Sequence, residues 1–139
     1  MTVRTFTRQV STRGEAEIID VTADILDCVS QAGVHDGTVT AFVPGSTAGL
    51  TTIEYESGCV SDLQRFFEEI IPQNREYAHN ARWHDGNGHS HARAALLGAS
   101  LTIPFVEENL TLGTWQQVIY VDFDVRSRNR ELVVQMVGE

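Results

Sequence analysis

The sequence predicts an α+β domain: mixed, mainly antiparallel β-sheets with two or three helices. Three observations carry this. Strand-like segments dominate the C-terminal part. Most connections are short, which suits hairpins rather than the long crossovers of a parallel sheet. The helical segments are few and do not alternate regularly with strands, as a doubly wound fold requires. With 139 residues the chain fits one domain, 1–139, and its 42% hydrophobic content supports an ordinary packed core.

The elements follow in order. Residues 3–10, VRTFTRQV, alternate with period two and include Val, Thr and Phe, so they predict a strand. Glu17-Ile18-Ile19 reads as a second, short strand. Asp20 offers an oxygen to cap a helix, and Val21, Ile25, Cys28, Val29 and Ala32 follow at helical spacing, with Gly33 as the stop. Residues 37–44 read as a buried strand closed by Pro44, and residues 50–55 as another. The clearest helix carries Cys59, Val60, Leu63, Phe66, Phe67, Ile70 and Ile71 on one broad face and ends before Pro72. Residues 72–88 are polar and irregular, the kind of long loop that is usually functional or mobile. A short helix over 91–98, a strand over 100–105, a turn at 107–109 and a long strand over 115–124 follow. Residues 130–137 close the sheet as the expected hairpin partner of 115–124.

Charge and apolar content exclude some partners. The formal charge is −9, with 10 basic residues against 19 acidic ones, which argues against nucleic acid. A basic patch at Arg126, Arg128 and Arg130 reads equally well as a solvated strand end. No apolar run approaches the ~18 residues of a membrane helix, so no membrane partner is expected. The polar, alternating start lacks the features of a signal or transit peptide. Cys28 and Cys59 fall in apolar-periodic segments and read as core thiols of a protein in a reducing cytoplasm.

The densest chemistry lies in residues 84–91, HDGNGHSH, which hold three of the chain's five histidines. Neutral imidazole is the commonest transition-metal ligand. His89 and His91 could share an ion only on extended backbone or at an irregular helix entrance, because helical geometry turns them ~200° apart. His79 could add a third nitrogen if the loop folds back, leaving an open, catalytic-type site. Ordinary polar loop histidines explain the cluster as well. Gly86-Asn87-Gly88 before a helix start, and Pro44 to Gly49 between two strands, each read as an anion nest or as a tight turn. Glu54 and Asp85 are candidate proton carriers or orienting groups, Glu54 reading equally as a solvent-facing strand residue.

Four stretches then combine: PGSTAGLTTIEYE, DGNGHSHARAALLGASLTIPF, LGTWQQVIYVDFDVRSR and the terminal VVQMVGE. Together, over roughly residues 17–139, they resemble the YjbQ-like family, whose members are labelled secondary thiamine-phosphate synthase enzymes. The resemblance implies a YjbQ-like α+β fold with antiparallel sheets, assembled as a homotrimer with clefts near subunit interfaces. It implies weak formation of thiamine phosphate from a pyrimidine diphosphate and a thiazole phosphate. Carried over, it points to Glu54, His79, Asp85, Asn87, His89 and His91, with Gly113 to Gln116 as a second signature; His84 falls outside the pattern. Many relatives have His where this chain has Gly45.

Taken together, Glu54, Asp85 and His91 are the expected catalytic residues. Ser46, Thr47, Asn87, Gly88, Thr114 and Gln116 are the expected substrate or anion contacts. His79, His89 and His91 are the expected ligands of a divalent metal, magnesium or zinc. In this view HDGNGHSH forms one wall of the site, Glu54 and the 45–49 turn form the other, and His79 closes it. The expected partner is a small phosphorylated metabolite, with Arg82 or Arg93 offsetting the negative charge. The alternatives are a metal-dependent hydrolase or lyase, and a non-catalytic metal- or metabolite-binding trimer.

Overall fold

The computed structural model describes residues 1–139. The alternation that opens the chain forms β1 (Thr2–Thr12), and the chain closes on β8 (Arg128–Gly138). The two pair antiparallel along their whole length, Thr2 opposite Gly138 and Thr12 opposite Arg128. The other edge of β8 pairs with β3 (Gly37–Phe42), which pairs with β5 (Ser100–Val106) and, through it, the short β6 (Asn109–Leu110). A separate sheet runs β2 (Glu17–Asp20), β7 (Gln116–Asp122), β4 (Ala48–Glu54). Every pairing is antiparallel.

β8 is therefore not the hairpin partner of β7, as its position in the sequence suggested. Residues 123–127 carry the chain from one sheet to the other. The reason lies in β7 itself, which is apolar on both faces. Val118 and Tyr120 face a large core shared with the five-stranded sheet and α1 (Thr22–Ala32). Ile119 and Val121 face a smaller cluster with Ile18, Phe67, Ala94 and Phe123. A strand that needs apolar cover on both faces takes the middle of a layered arrangement. The layers are the five-stranded sheet, the three-stranded sheet, and the helices α2 (Ser57–Ile70) and α4 (Gly88–Leu97).

The helix boundaries follow local chemistry. Asp20 Oδ1 accepts the Thr22 N–H at 2.9 Å at the start of α1, and Gly33, at φ 67°, ends it in the left-handed conformation that suits glycine. The Glu56 carboxylate accepts the N–H groups of Gly58 and Cys59, both at 2.8 Å, and caps α2. Phe67 of α2 meets Phe123 edge to face at 4.7 Å.

Two corrections concern the stretch expected to be irregular. It contains a further helix, α3 (Ala78–Trp83), and α4 begins at Gly88 rather than His91, so the helices number four. The Asn80 side chain accepts the Gly88 N–H at 2.8 Å and joins α3 to the start of α4, a tertiary contact with no sequence periodicity to announce it. Both cysteines are free; Cys28 is buried in the core as expected, whereas Cys59 is only half-buried at the start of α2. No helix is long and apolar enough to cross a membrane.

Candidate active site

Three segments meet at one end of the three-stranded sheet: the β3–β4 loop, the turn leading into α4, and the end of β7. His79, on α3, sets its Nε2 3.2 Å from the Asp85 carboxylate. The Asn87 amide joins this pair, 3.0 Å from His79 Nε2: with its nitrogen on this side it donates to a neutral Nε2 and to Asp85 Oδ1 at 2.9 Å, and with its oxygen on this side it accepts from a protonated Nε2. His91 lies edge-on against His79, the ring centroids 4.5 Å apart. Its Nδ1 is 3.1 Å from the Ser46 carbonyl oxygen. An N–H on Nδ1 donates to that oxygen, which leaves Nε2 with its lone pair. A cavity of about 370 Å³ opens beside His91, between Gly45, Ser46 and Ala48 on one side and Ala94, Ala95 and Gly98 on the other.

The turn that presents these groups is shaped by its neighbours. His84, at φ 59°, ends α3 and donates its backbone N–H to the Asn80 carbonyl at 2.8 Å. That is a structural task, consistent with its place outside the family pattern. At Gly88 a Cβ would lie 2.6 Å from Tyr77 Cβ, so only glycine fits there. Gly88 is buried and its amide is taken by Asn80, so it serves packing and does not face a ligand.

His89 and His91 do not come together. Both lie in the first turn of α4, so their side chains diverge as helical geometry dictates. His91 faces His79, while His89 is 1% exposed and its Nδ1 has no hydrogen-bond partner. Burial, with Arg93 nearby, pushes the His89 imidazole below its ordinary value of 6.5. No three His, Cys, Asp or Glu side chains converge as metal ligands. A three-histidine centre on His79, His89 and His91 therefore does not fit this chain, because His89 points into the interior.

A pH dependence follows. A histidine held neutral by the fold contributes stability above its unfolded value, and that stability is lost as pH falls below it. Thermal unfolding should therefore move to lower temperature between about pH 7.5 and pH 5.5, and His89→Phe should remove most of that slope. An unchanged slope in His89→Phe would exclude His89 as its source.

Beneath the 45–47 segment lies an ionic cluster that sequence reasoning missed. Asp122 is fully buried and accepts from Arg130 Nε and Nη2 at 2.8 and 2.9 Å, from the Thr12 hydroxyl, and from the Asp124 N–H at 3.0 Å. Asp124, 2% exposed, accepts from Arg128 at 2.7 and 3.0 Å. Burial alone would raise both carboxyls, but the guanidinium, hydroxyl and amide donors outweigh it and hold both below their ordinary values. Arg130 Nη2 also donates to the Thr47 hydroxyl at 2.6 Å, so that hydroxyl is committed internally. Arg128 and Arg130 thus neutralise buried carboxylates and do not form a solvated basic patch. The signal in the sequence was two aspartates, 122 and 124, on one face of an otherwise apolar strand.

Glu54 stands apart from the histidines. Residue 48 of β4 lines the cavity beside His91, and Glu54 is six residues further along. At about 3.3 Å per residue that is roughly 20 Å, so Glu54 is not the opposite wall of the histidine site. It borders a second cavity, of about 420 Å³, with Asp20, Glu56, Thr114 and Trp115. Gln116 braces its own turn, accepting from the Gly113 N–H at 3.1 Å and donating to Thr52 Oγ1 at 3.0 Å. Arg93 is also committed, to the Ile71 carbonyl at 2.9 Å and Glu68 at 2.7 Å, while Arg82 lies over the exposed Trp83 ring.

The fold and site define a class: an α+β protein of two antiparallel sheets with a histidine–carboxylate cluster at one sheet end. Residues 6–139 match the family described as UPF0047 protein YjbQ-like, and the chain belongs to that family. It is 34% identical to a UPF0047 protein of Methanothermobacter thermautotrophicus over 100% of this chain and 95% of the relative. A UPF0047 protein of Methanocaldococcus jannaschii is 33% identical over 96% and 94% of the two chains. Among solved structures, a YbjQ-like protein of unknown function from Sulfolobus solfataricus superposes with a TM-score of 0.89 at 28% identity, over 99% of this chain and 100% of that one. A hypothetical protein from Aeropyrum pernix gives 0.89 at 31% identity, over 100% of both.

Proposed function

We propose that the protein is an acid–base enzyme of the thiamine-phosphate synthase type, joining a pyrimidine diphosphate to a thiazole phosphate. The observation that supports this most is the pairing of two half-buried imidazoles with different partners. His79 is held by Asp85, and His91 by the Ser46 carbonyl, at the mouth of a cavity of small-molecule size. In the reaction, the thiazole nitrogen forms a bond to the pyrimidine's methylene carbon. The carbon–oxygen bond to pyrophosphate breaks, and pyrophosphate leaves with the electron pair. A protonated His79, stabilised by Asp85, supplies positive charge and a proton to the departing oxygen. His79 then regains a proton from solvent, relayed through His91 Nε2, before the next turnover.

We place any divalent ion, magnesium or zinc, with the substrate's phosphate groups, since one chain brings no three ligands together. We also infer assembly as a homotrimer: at the far end of β4, Trp115 is 73% exposed and Tyr55 45% exposed, an apolar surface available to a neighbouring subunit. Two free thiols suit a reducing cytoplasm.

The test is pyrophosphate release from the two precursors by purified protein, with and without added magnesium. Turnover that is lost in His91→Ala, with thermal unfolding unchanged, supports the proposal. No pyrophosphate release above the protein-free rate, or release that His91→Ala leaves untouched, overturns it. Sedimentation at micromolar concentration checks the trimer.

A further inference from the structure

Arg130 has more donors than its buried partner uses. Nε and Nη2 are spent on Asp122 and Thr47, whereas Nη1 makes no hydrogen bond within the chain. Nη1 faces the backbone of Gly45: a Cβ built there would lie 3.6 Å from it, and its next neighbour, Val43 Cγ1, 3.9 Å away. Because residue 45 has no side chain, nothing from that residue covers the guanidinium edge. Two further donors lie in the same segment. Neither the Ser46 nor the Thr47 backbone N–H finds an acceptor in the chain, although Thr47 is only 5% exposed. Both amides are therefore free to donate to a group from outside the chain. The carbonyl side of the same segment is anchored, Ser46 O to His91 Nδ1 and Thr47 O to the Phe123 N–H at 2.9 Å. The inner edge of the guanidinium is already neutralised by Asp122, so the outer edge is held rigidly rather than left to find a partner.

We propose that Arg130 Nη1 and the backbone amides of Ser46 and Thr47 form a subsite for a phosphoryl group, and that the bare Cα of Gly45 is what keeps Arg130 reachable. The ligand class is a phosphate monoester or diphosphate, whose oxygens accept charge-assisted bonds from a guanidinium and from paired amides. This deepens the proposal of a phosphorylated substrate by naming the donors that would hold its phosphoryl group, on the face of the 45–47 segment opposite the Ser46 carbonyl that His91 takes. Arg130 is a binding residue here, with no part in the proton transfers.

The experiment measures binding alone, with inorganic phosphate and pyrophosphate as probes, by calorimetry and by amide shift mapping of the wild-type protein. Saturable binding is expected, with the largest shifts at Ser46 and Thr47. Gly45→Leu should weaken it roughly tenfold or more, because the new side chain covers Nη1. That variant should keep its unfolding temperature, since the added Cβ meets only ordinary contact distances and the backbone is not left-handed there. Arg130→Lys, which keeps the charge but loses the fork, should weaken binding similarly. No saturable binding of either anion, shifts confined to other segments, or a folded Gly45→Leu that binds like wild type would overturn the subsite. Binding lost only in His91→Ala would overturn it too, while leaving the acid–base proposal standing. Anion binding as described, without any turnover, would sink the synthase proposal and leave the subsite intact.

Discussion

Replacing Arg130 with methionine should destabilise the protein by about 3–5 kcal/mol, because it strands a fully buried Asp122 carboxylate without its counter-ion. For a chain of this length that corresponds to a fall of roughly 10–17 °C in unfolding temperature. The penalty belongs to the unpaired charge, not to the lost contacts. The double variant Asp122→Leu, Arg130→Met should therefore recover much of the loss. The sign of the pH dependence separates this from a packing defect. In the native protein Asp122 is held below its ordinary value, so the stability it contributes is present above about pH 4 and is lost as pH falls through the native value. In Arg130→Met the same carboxyl keeps only the Thr12 hydroxyl and the Asp124 amide against its burial, so its value rises from the native one. Protonation then relieves the variant while it weakens the wild type. The gap between the two melting curves should narrow as pH falls from 7 to about 4. A gap that stays constant with pH would mean the loss is one of packing.

The second large effect concerns the His79–Asp85 pair. His79→Ala should lower pyrophosphate release by about 10²–10⁴-fold, the usual weight of a positioned general acid. Asp85→Asn keeps the shape but removes the charge beside the His79 ring, so its loss should be smaller than that of His79→Ala. In both variants the loss should fall on kcat with KM nearly unchanged, because the pair acts on the departing group rather than on binding. An unchanged kcat in Asp85→Asn would remove the carboxylate from the reaction. Both variants alter exposed or half-exposed groups, so their unfolding temperatures should stay close to wild type.

The two sets of side chains were legible to very different degrees. The buried face of α1 was plain from its 3.6-residue apolar spacing, and β3, β4 and β5 from short β-rich runs with turn residues between; the spacing of α2 gave the helix but not its burial, since only Phe67 of its apolar stripe is buried while Phe66 and Ile70 are 53% and 42% exposed. These are local properties. Residues 72–88 were polar enough to read as loop, and six of them are nonetheless helical in α3. A helix this short is not stable by itself; it exists because Asn80 reaches the start of α4, Tyr77 donates to Pro72 O at 2.5 Å, and His84 accepts a left-handed conformation. The same contacts draw the start of α4 back to Gly88. That single shift decided the fate of the histidines, because it put residues 89 and 91 on helical rather than extended backbone.

Composition and motif established, without coordinates, the family and its α+β class, the acidic character that argues against nucleic acid, and the set of residues from which a site could be made. Periodicity and motif spacing are short-range, and they survive in one dimension. Only the tertiary structure decided which of those residues meet. It joined His79, Asp85, Asn87 and His91, sent His89 into the interior, and placed Glu54 with Thr114 at the far end of β4. It also revealed Arg130, whose charge looked like a solvated strand end until the sheet pairing put Asp122 beneath it. The physical reason is that β4 and β7 are rigid and extended, so residues only six apart along them lie roughly 20 Å apart in space, whereas turns bring residues distant in sequence into hydrogen-bond range.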